Sequence, residues 1–576
     1  MAIIGIDLGT TNSLVSVFKD GRIQLIPNAF GEYLTPSVVS FGDKGEVYVG
    51  KIAKEMLVTR PKVTFCEFKR NMGTDHEYRV GYKSYCAEEL SAFVLRRLKE
   101  DAEAFLGEPV TEAVISVPAY FDDNKRCATK NAGKLAGLVV ERLINEPSAA
   151  ALNYHVNSDE MEDFIVFDFG GGTLDVSVVE AFENMVEIRA VAGDNHLGGK
   201  DFNEVIAEEF YRRNRLSKRD FTDEEQASIL KAAEELKKEL TGKNEAEHTL
   251  YLKDKEYVMK LTNQELICIS TSIFQRISKP ISRVLNDCGM GWDDIDHVIL
   301  AGGSSKMPVI RKYIQSLAGD KVMLDANPDE CIALGVGMAA AIKERTGDVK
   351  DMILSDICPF SLGTSIYDGT MSVIIERNAT LPCKNSRYYV TVEDFQTKLD
   401  CPIYQGENLR AKDNLLLGTL KITDIPSVPK GETGAWVTFM YDINGILDIQ
   451  IDGERQSVHK VIVNKQMGLT EREIEQRVKE LKKLTLHPVE QEENRLLIEK
   501  AERLYQEANP EIRNSIQEML RGFLLTLQKE RGQAVRAAYT RFSLFLDMVE
   551  AQRIDLAEFD ENFWTEDEED TSGETE

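Results

Sequence analysis

The sequence predicts a multidomain chain: an α/β domain, then an all-β domain, then a helical segment that ends in an acidic tail. Three observations predict it. The chain has 576 residues, and at about 100–200 residues per domain that makes about three or four domains. The apolar period changes twice along the chain, from mixed to alternating to helical. The composition, 43% hydrophobic and 29% charged, is that of an ordinary globular protein with ample material for buried cores.

Taken in order, residues 1–347 mix short apolar strands, such as Ala113-Val114-Ile115-Ser116-Val117, with amphipathic segments such as Glu88 to Phe105. That alternation predicts an α/β domain. Residues 359–467 show no helical period. Tyr388 to Val392 and Met371 to Ile375 read as strands. Asn444-Gly445 lies between the alternating runs Trp436 to Tyr441 and Leu447 to Ile451, a hairpin signal. Residues 468–554 return to helical spacing. Thr470-Glu471-Arg472-Glu473 reads as a capping box. Ile512, Ile516, Met519, Phe523 and Leu527 form one apolar stripe, and Val535, Ala538, Phe542, Phe545 and Val549 another. Such stripes predict helices packed on each other in a bundle. Residues 555–576 hold eleven acids and no Lys or Arg, which predicts a disordered tail. Residues 348–358 link the first two domains. A flexible linker is polar, yet Met352-Ile353-Leu354 is apolar. The run therefore reads either as a segment that docks or as an edge strand of one domain.

Charge excludes some functions. There are 69 Lys and Arg against 97 Asp and Glu, a net charge of -28. Such a chain has no cation excess with which to bind a phosphate backbone or an anionic membrane surface, so no nucleic-acid or membrane partner is expected. No apolar run reaches the ~18–20 residues of a membrane span. The start, Met1 to Asp7, lacks the features of a signal peptide. Nine scattered cysteines, odd in number and never in C-x-x-C spacing, argue against a disulfide framework or a zinc site. A cytoplasmic location is expected.

The chemistry sits in a duplicated device. Ile3 to Ile6 runs into Asp7-Leu8-Gly9-Thr10-Thr11, and Phe164 to Phe167 runs into Asp168-Phe169-Gly170-Gly171-Gly172-Thr173-Leu174-Asp175; a strand follows each. This is not a Walker loop, which needs G-x-x-x-x-G-K-[ST] entering a helix. It still suits a polyphosphate. Glycines let backbone amides converge on phosphate oxygens, threonines add donors, and a carboxylate at each strand end can hold hydrated Mg²⁺. One such turn could be a plain hairpin; two imply related halves facing across a cleft. A third Gly turn, Ala301-Gly302-Gly303-Ser304-Ser305-Lys306-Met307-Pro308, follows a strand, with Pro308 suited to a helix start.

Six motifs occur in one order: Asp7 to Asn12, Val117 to Phe121, Ile144 to Ala151, Asp168 to Asp175, Gly193 to Gly199, and Asn327 to Glu330. In these the chain resembles the seventy-kilodalton heat-shock chaperones, DnaK-like and on the shorter, HscC-like branch, over about residues 1–555. The resemblance implies an actin-like α/β ATPase domain, a β-sandwich peptide-binding domain and an α-helical lid. It implies ATP-dependent binding of extended, unfolded polypeptide clients, with a J-domain co-chaperone and a nucleotide exchange factor as partners, and ATP or ADP, Mg²⁺ and K⁺ as cofactors.

Residue roles follow by resemblance. Gly9, Thr10, Thr11 and Asn12 would hold phosphates from one lobe, and Gly170, Gly171, Gly172 and Thr173 from the other. Gly198, Gly199, Gly302, Gly303, Ser304 and Asp329 would complete the nucleotide site. Asp7, Asp168 and Asp175 would hold Mg²⁺ and ordered ions through water. Glu146 would order the attacking water, and Lys69 would be the catalytic lysine. On its residue type alone Lys69 reads as a solvated loop lysine. Glu234, Lys237, Lys238 and Thr241 would contact base and ribose; alone, Glu234 and Lys238 are an i,i+4 pair. Lys306 replaces a stacking arginine, which predicts a different hold on the base. Pro118 and Arg126 would switch the coupling between domains. Arg142 and Asp356 would meet the J-domain. Met352, Ile353 and Leu354 would dock. Thr364, Tyr367, Tyr389, Val392, Leu399 and Cys401 would line the peptide groove. Two other readings stand beside this one: a holdase that binds without refolding, and a small-molecule kinase of the same superfold.

Overall fold

The computed structural model describes residues 2–43, 45–155, 161–253, 255–323, 327–345, 352–462, 471–481, 484–486, 492–508, 510–529 and 533–551. The expected domain boundaries at 347/348 and 467/468, Thr470 of the capping box, and the acidic stretch 555–576 lie outside the described residues. The chain clusters into two compact units, residues 1–248 with 258–488, and residues 249–257 with 489–576.

The first unit opens with two six-stranded sheets of matching design. In the first, Ile3–Asp7 runs antiparallel to Asn12–Lys19 and parallel to Glu112–Val117. In the second, Glu162–Phe169 runs antiparallel to Leu174–Phe182 and parallel to His297–Ala301. The central strands are covered on both faces, so they read as continuous apolar runs: Ile4, Ile6, Val114, Ile115, Phe164 and Val166 are all fully buried. The small-residue helix Cys331–Glu344 packs on the first sheet. Glycines permit its close approach to that sheet and to the helix Glu146–His155. A Cβ on Gly5 would stand 2.5 Å from the Gly337 amide, and one on Gly335 would stand 1.8 Å from the Ala149 carbonyl. These mixed α/β sheets fit an actin-like ATPase domain.

The amphipathic segment expected over Glu88 to Phe105 is the helix Ala87–Leu106, but it is buried over most of its circumference. Even Glu88, Glu89 and Arg97 are shielded. The reason is a second cover. The helix Glu471–Leu481 inserts Ile474 and Leu481 into the same core, and Arg477 approaches Glu89 at 3.5 Å. Just beyond it, Thr485–Leu486 pairs in parallel with Glu46–Val49. Part of the helical stretch thus belongs to the first unit.

Residues 362–462 form two four-stranded sheets. Strands Leu362–Ser365, Met371–Ile375, Leu399–Gln405 and Leu415–Ile422 make one; Cys383–Val390, Gly434–Tyr441, Leu447–Gly453 and Ser457–Ile462 make the other. Every second residue points inward, so Val437, Phe439, Tyr441, Leu447, Ile449 and Ile451 share one core with Leu362, Ile403 and Leu420. Tyr441 pairs with Leu447, which leaves a five-residue loop, 442–446, rather than a two-residue turn. Asp442 sets the longer loop: its carboxylate accepts the amides of Asn444 and Ile446, each at 2.8 Å, and Gly445 takes the left-handed conformation.

The run Met352-Ile353-Leu354 takes the edge-strand reading. Ile353–Ser355 adds a parallel edge strand to the second six-stranded sheet beside Met185–Asp194. Met352 is buried in that lobe's core, Leu354 packs against it, and Ile353 faces outward.

The second unit contains the helices Glu492–Glu507, Pro510–Lys529 and Gln533–Glu550. Ile516, Met519, Phe523, Ala538, Phe542, Phe545 and Val549 from the two expected stripes meet Leu497, Ala501 and Leu504 in one core. The Phe523 and Phe542 rings lie 5.0 Å apart.

Candidate active site

The matched strands end at Asp7 and, one residue before the strand end, at Asp168, and their turns face each other. A Cβ on Gly171 would come within 1.8 Å of the Thr11 hydroxyl, and one on Gly172 within 2.7 Å of the Thr10 methyl. Gly198 sits so close that its Cβ would stand 2.4 Å from the Gly172 amide. On the far wall, Gly199 faces Ser304, Gly302 faces Asp168, and Gly303 faces Asp329, each with no room for a methyl group. Hydrogen bonds fix the turns: the Gly170 amide donates to the Thr173 carbonyl at 3.1 Å and the Gly199 amide to the Gly170 carbonyl at 3.0 Å. A Cβ on Gly9 would strike the Asn12 carbonyl. Backbone from the four loops at 9–12, 170–173, 198–199 and 302–304 therefore converges on one cleft. Amides without side chains in front of them are what an extended anion needs.

Carboxyls crowd the floor. Lys69, only 4% exposed, donates to Glu146 at 2.6 Å. The solvated-loop reading of Lys69 is thereby overturned. The lysine lies in the short helical turn Phe68–Asn71, which turns it into the cleft. Ser116 donates to Asp7 at 2.7 Å. Burial, reinforced by Glu146, pushes Asp7 up to about 6, against the pull of Lys69. Burial and Glu146 push Asp175 up to about 7. Asp168 is raised well above its ordinary value by burial and by Glu146, Asp175 and Asp7. Asp175 is a strand residue rather than a turn acid. One of its oxygens accepts the Tyr120 amide, while the other is buried without a partner. A cluster of acids held above their normal pKa, with an orphan oxygen among them, fits a cation. Among the described residues no three such side chains stand close enough to ligate a bare ion. The fit is to a hydrated ion held through water, as Mg²⁺ prefers.

Toward the cleft's outer wall, Lys238 pairs with Glu234 at 2.5 Å. Lys237 donates to the Gly199 carbonyl at 2.8 Å, and burial brings its ammonium down to about 8. Thr241 is exposed just beyond the helix Asp223–Glu239, where its amide donates to the Lys238 carbonyl. Lys306 forms an ion pair with Asp329, so its charge is already engaged.

A polar chain leads away from the cleft. Pro118 is buried at the end of Glu112–Val117, and its carbonyl accepts the Phe121 amide. Arg126 donates to the Ala119 and Phe121 carbonyls and, at 2.6 Å, to Asn145. Asn145 and Ser148 both donate to Asp356, at 2.7 and 3.0 Å. Burial lowers the Arg142 guanidinium, against the nearby charge of Asp356. Asn145 precedes Glu146, so segment 352–358 is two side chains from the cleft floor.

In the β region, the six groove candidates divide. Thr364 and Cys401 are buried; the Cys401 thiol donates to Thr364, whose hydroxyl donates to the Pro402 carbonyl. They belong to the interior of this structure rather than to an open lining. Leu399 is half-buried, Tyr389 bonds Ser372 through its hydroxyl, and Val392 and Tyr367 are exposed. Val392 lies beyond the strand it was assigned to, which ends at Val390.

Residue typing missed Ser116, Arg70 and Asn145. Arg70 donates to the Gly172 carbonyl and pairs with Asp201 at 3.1 Å. Its signal was its place beside Lys69; that of Asn145 was its place inside the Ile144 to Ala151 motif.

No described helix is long and apolar enough to cross a membrane, and all nine cysteines are free thiols. The Hsp70 protein family model matches residues 3–555. Members of that family are ATPases that bind ATP and ADP with Mg²⁺ and work with unfolded polypeptides and co-chaperones. With nearly the whole chain matched and two mirrored lobes meeting at a glycine-lined, acid-floored cleft, the chain belongs to the Hsp70 protein family.

Proposed function

We propose that the chain is an ATP-dependent chaperone in which hydrolysis of ATP in the cleft controls the grip of the β region on extended, apolar peptide segments. The carrying observation is the hydrogen bond from Asn145, the residue that directly precedes Glu146, to Asp356. It gives the β region a physical route to the reacting atoms.

In this reading water attacks the γ-phosphate, and ADP and phosphate leave. Gly9 to Asn12 and Gly170 to Thr173 position the phosphates by backbone amides and hydroxyls. Lys69 neutralises charge that develops on the transferred group, and Glu146 orients the water. Asp7, Asp168 and Asp175 would hold hydrated Mg²⁺, and K⁺ would be a second cofactor; the metal would neutralise charge on the phosphate oxygens. Glu234, Lys237, Lys238, Thr241, Gly302 to Ser304, Lys306 and Asp329 form the nucleoside wall. Because Lys306 is tied to Asp329, the base is held by packing rather than by a stacked guanidinium.

The two-sheet region 359–467 acts as a sandwich whose groove takes the peptide at Tyr367, Tyr389, Val392 and Leu399, and the segment from 468 to 554 as its lid. A J-domain co-chaperone meets Arg142 and Asp356, and an exchange factor releases ADP. Nine free cysteines without a disulfide suit a reducing cytoplasm. Length and the early placement of the cleft motifs favour the HscC-like branch.

Single-turnover ATP hydrolysis, with and without a reduced, carboxymethylated unfolded polypeptide and a J-domain, tests this reading. Peptide and J-domain together should accelerate turnover. Turnover that ignores both would leave the holdase reading; turnover that requires a sugar would leave the kinase one.

A further inference from the structure

A second buried acid lies far from the phosphate loops, where the β region meets the first lobe. Asp123 opens the helix Asp123–Leu135, just after its cap Asp122. It is 3% exposed. One carboxylate oxygen accepts the Tyr441 hydroxyl at 2.9 Å and the Gln405 amide at 3.3 Å. The Asp123 backbone amide donates back to the Gln405 side-chain oxygen, Oε1. The other carboxylate oxygen is buried with no hydrogen-bond partner. Three features meet here: a fully buried tyrosine from the Gly434–Tyr441 strand, a glutamine from Leu399–Gln405, and an acid oxygen without a partner. The same helix carries Arg126, one turn on, which holds Asn145 beside Glu146.

We infer that the Tyr441 hydroxyl, closed on Asp123, is a positioning contact for coupling: it reports docking of the β region to the helix that carries Arg126, and a proton bound at Asp123 locks it. The inference rests on the proposed coupling of cleft and β region. The titratable and charged groups facing Asp123 are Tyr441 from the β sheet, and Asp122 and Arg126 from its own helix and cap; Cys358 stands behind Tyr441. Burial pushes the Asp123 carboxyl up to about 7, against the Tyr441 hydrogen bond and the Arg126 charge, which favour the ionised form. An undocked Asp123 is hydrated and titrates near the ordinary value, about 4. The docked form therefore binds a proton that the undocked form does not. Docking is strongest below the docked pKa and is lost as pH rises through it.

The test uses the full chain with ATP and a fluorescent donor–acceptor pair on the first lobe and the β region, which reads the ratio of docked to undocked molecules. The wild-type ratio should be about tenfold higher at pH 6 than at pH 8. Tyr441→Phe removes only the hydroxyl. It should lower the ratio about fivefold at pH 8, where the bond serves a carboxylate, and less than about twofold at pH 6. Asp123→Asn, nearly isosteric, should flatten the pH dependence. Equal losses for Tyr441→Phe at both pH values would mean simple packing and overturn the inference, as would a wild-type slope retained in Asp123→Asn. A chain that shows peptide-stimulated turnover but fails these tests overturns this inference alone. A wild-type chain with no ATP-dependent docking at any pH overturns the proposed function and this inference together.

Discussion

The cleft floor and the joint at Asp123 both bury carboxyls, yet they satisfy them differently. On the cleft floor, Asp7, Glu146, Asp168 and Asp175 share one buried ammonium, Lys69, which bonds Glu146 directly. At the joint, Asp123 is met by two neutral donors, Tyr441 and Gln405. Crowded acids with too little positive charge store a demand for cations, so the cleft is built to be completed by a ligand. A buried acid whose hydrogen-bond donors are neutral can be balanced by a proton, which in the inferred reading lets the joint open and close. In the proposed reading, the difference separates a site that does chemistry from a site that transmits it.

The largest effect should come from removing the cleft's cation. Lys69→Ala should lower single-turnover hydrolysis by about 100-fold or more, while nucleotide binding, measured by calorimetry, persists. Near-normal turnover would place the chemistry elsewhere. Next comes the meeting of the two turns. A Cβ at Gly171 would fall 1.8 Å from the Thr11 hydroxyl, so Gly171→Ala should cost about 1–3 kcal/mol of cleft closure, read as about tenfold weaker ATP binding. An unchanged affinity would mean that the lobes do not close on each other there.

The cleft's acids should also write a pH signature on the empty protein. Burial raises Asp7 to about 6 and Asp175 to about 7. A raised acid favours the folded state when protonated, so its contribution is lost as pH rises through those values. The thermal midpoint without nucleotide should fall by several degrees, on the order of 5 °C, between pH 5 and pH 8. Saturating Mg²⁺ and ATP should shrink that fall, because added positive charge favours the ionised acids. Chelating the metal should restore it. The smallest effect belongs to the joint's periphery. Arg377 reaches Asp287 of the second lobe at 2.5 Å, and both side chains are only partly shielded. Arg377→Ala should weaken docking by about 0.5–1 kcal/mol, an amount that high salt should reproduce in the wild type.

Much of this was legible in the sequence. The strand-Asp-Gly-Thr device announced its own repetition, because glycine turns after apolar strands leave a local mark. The alternating β stretch and the helical stripes announced themselves by period. The resemblance singled out Lys69, which residue type misassigned, because burial of a lysine is decided by distant residues such as Glu146. The cover over Ala87–Leu106 was hidden for the same reason: only the fold brings Ile474 and Leu481 to that helix. Thr364 and Cys401 were placed in the lining by resemblance, and here both side chains are buried; strand alternation alone cannot say which face meets a partner sheet. Tyr441 carried no signal at all. It looks like one more inward strand residue, and its hydroxyl matters only because Asp123, 318 positions away in sequence, arrives opposite it.

The most direct measurement of the coupling is hydrogen–deuterium exchange at Ile353–Ser355. In the structure these residues pair with Met185 to Glu187, and the Ile353 amide donates to the Asn184 carbonyl at 2.7 Å. With ATP bound, the amides of this strand should exchange slowly; with ADP and an unfolded polypeptide, they should exchange at nearly the rate of free chain. Equal protection in both states would contradict a link between the nucleotide in the cleft and the β region's grip on its client.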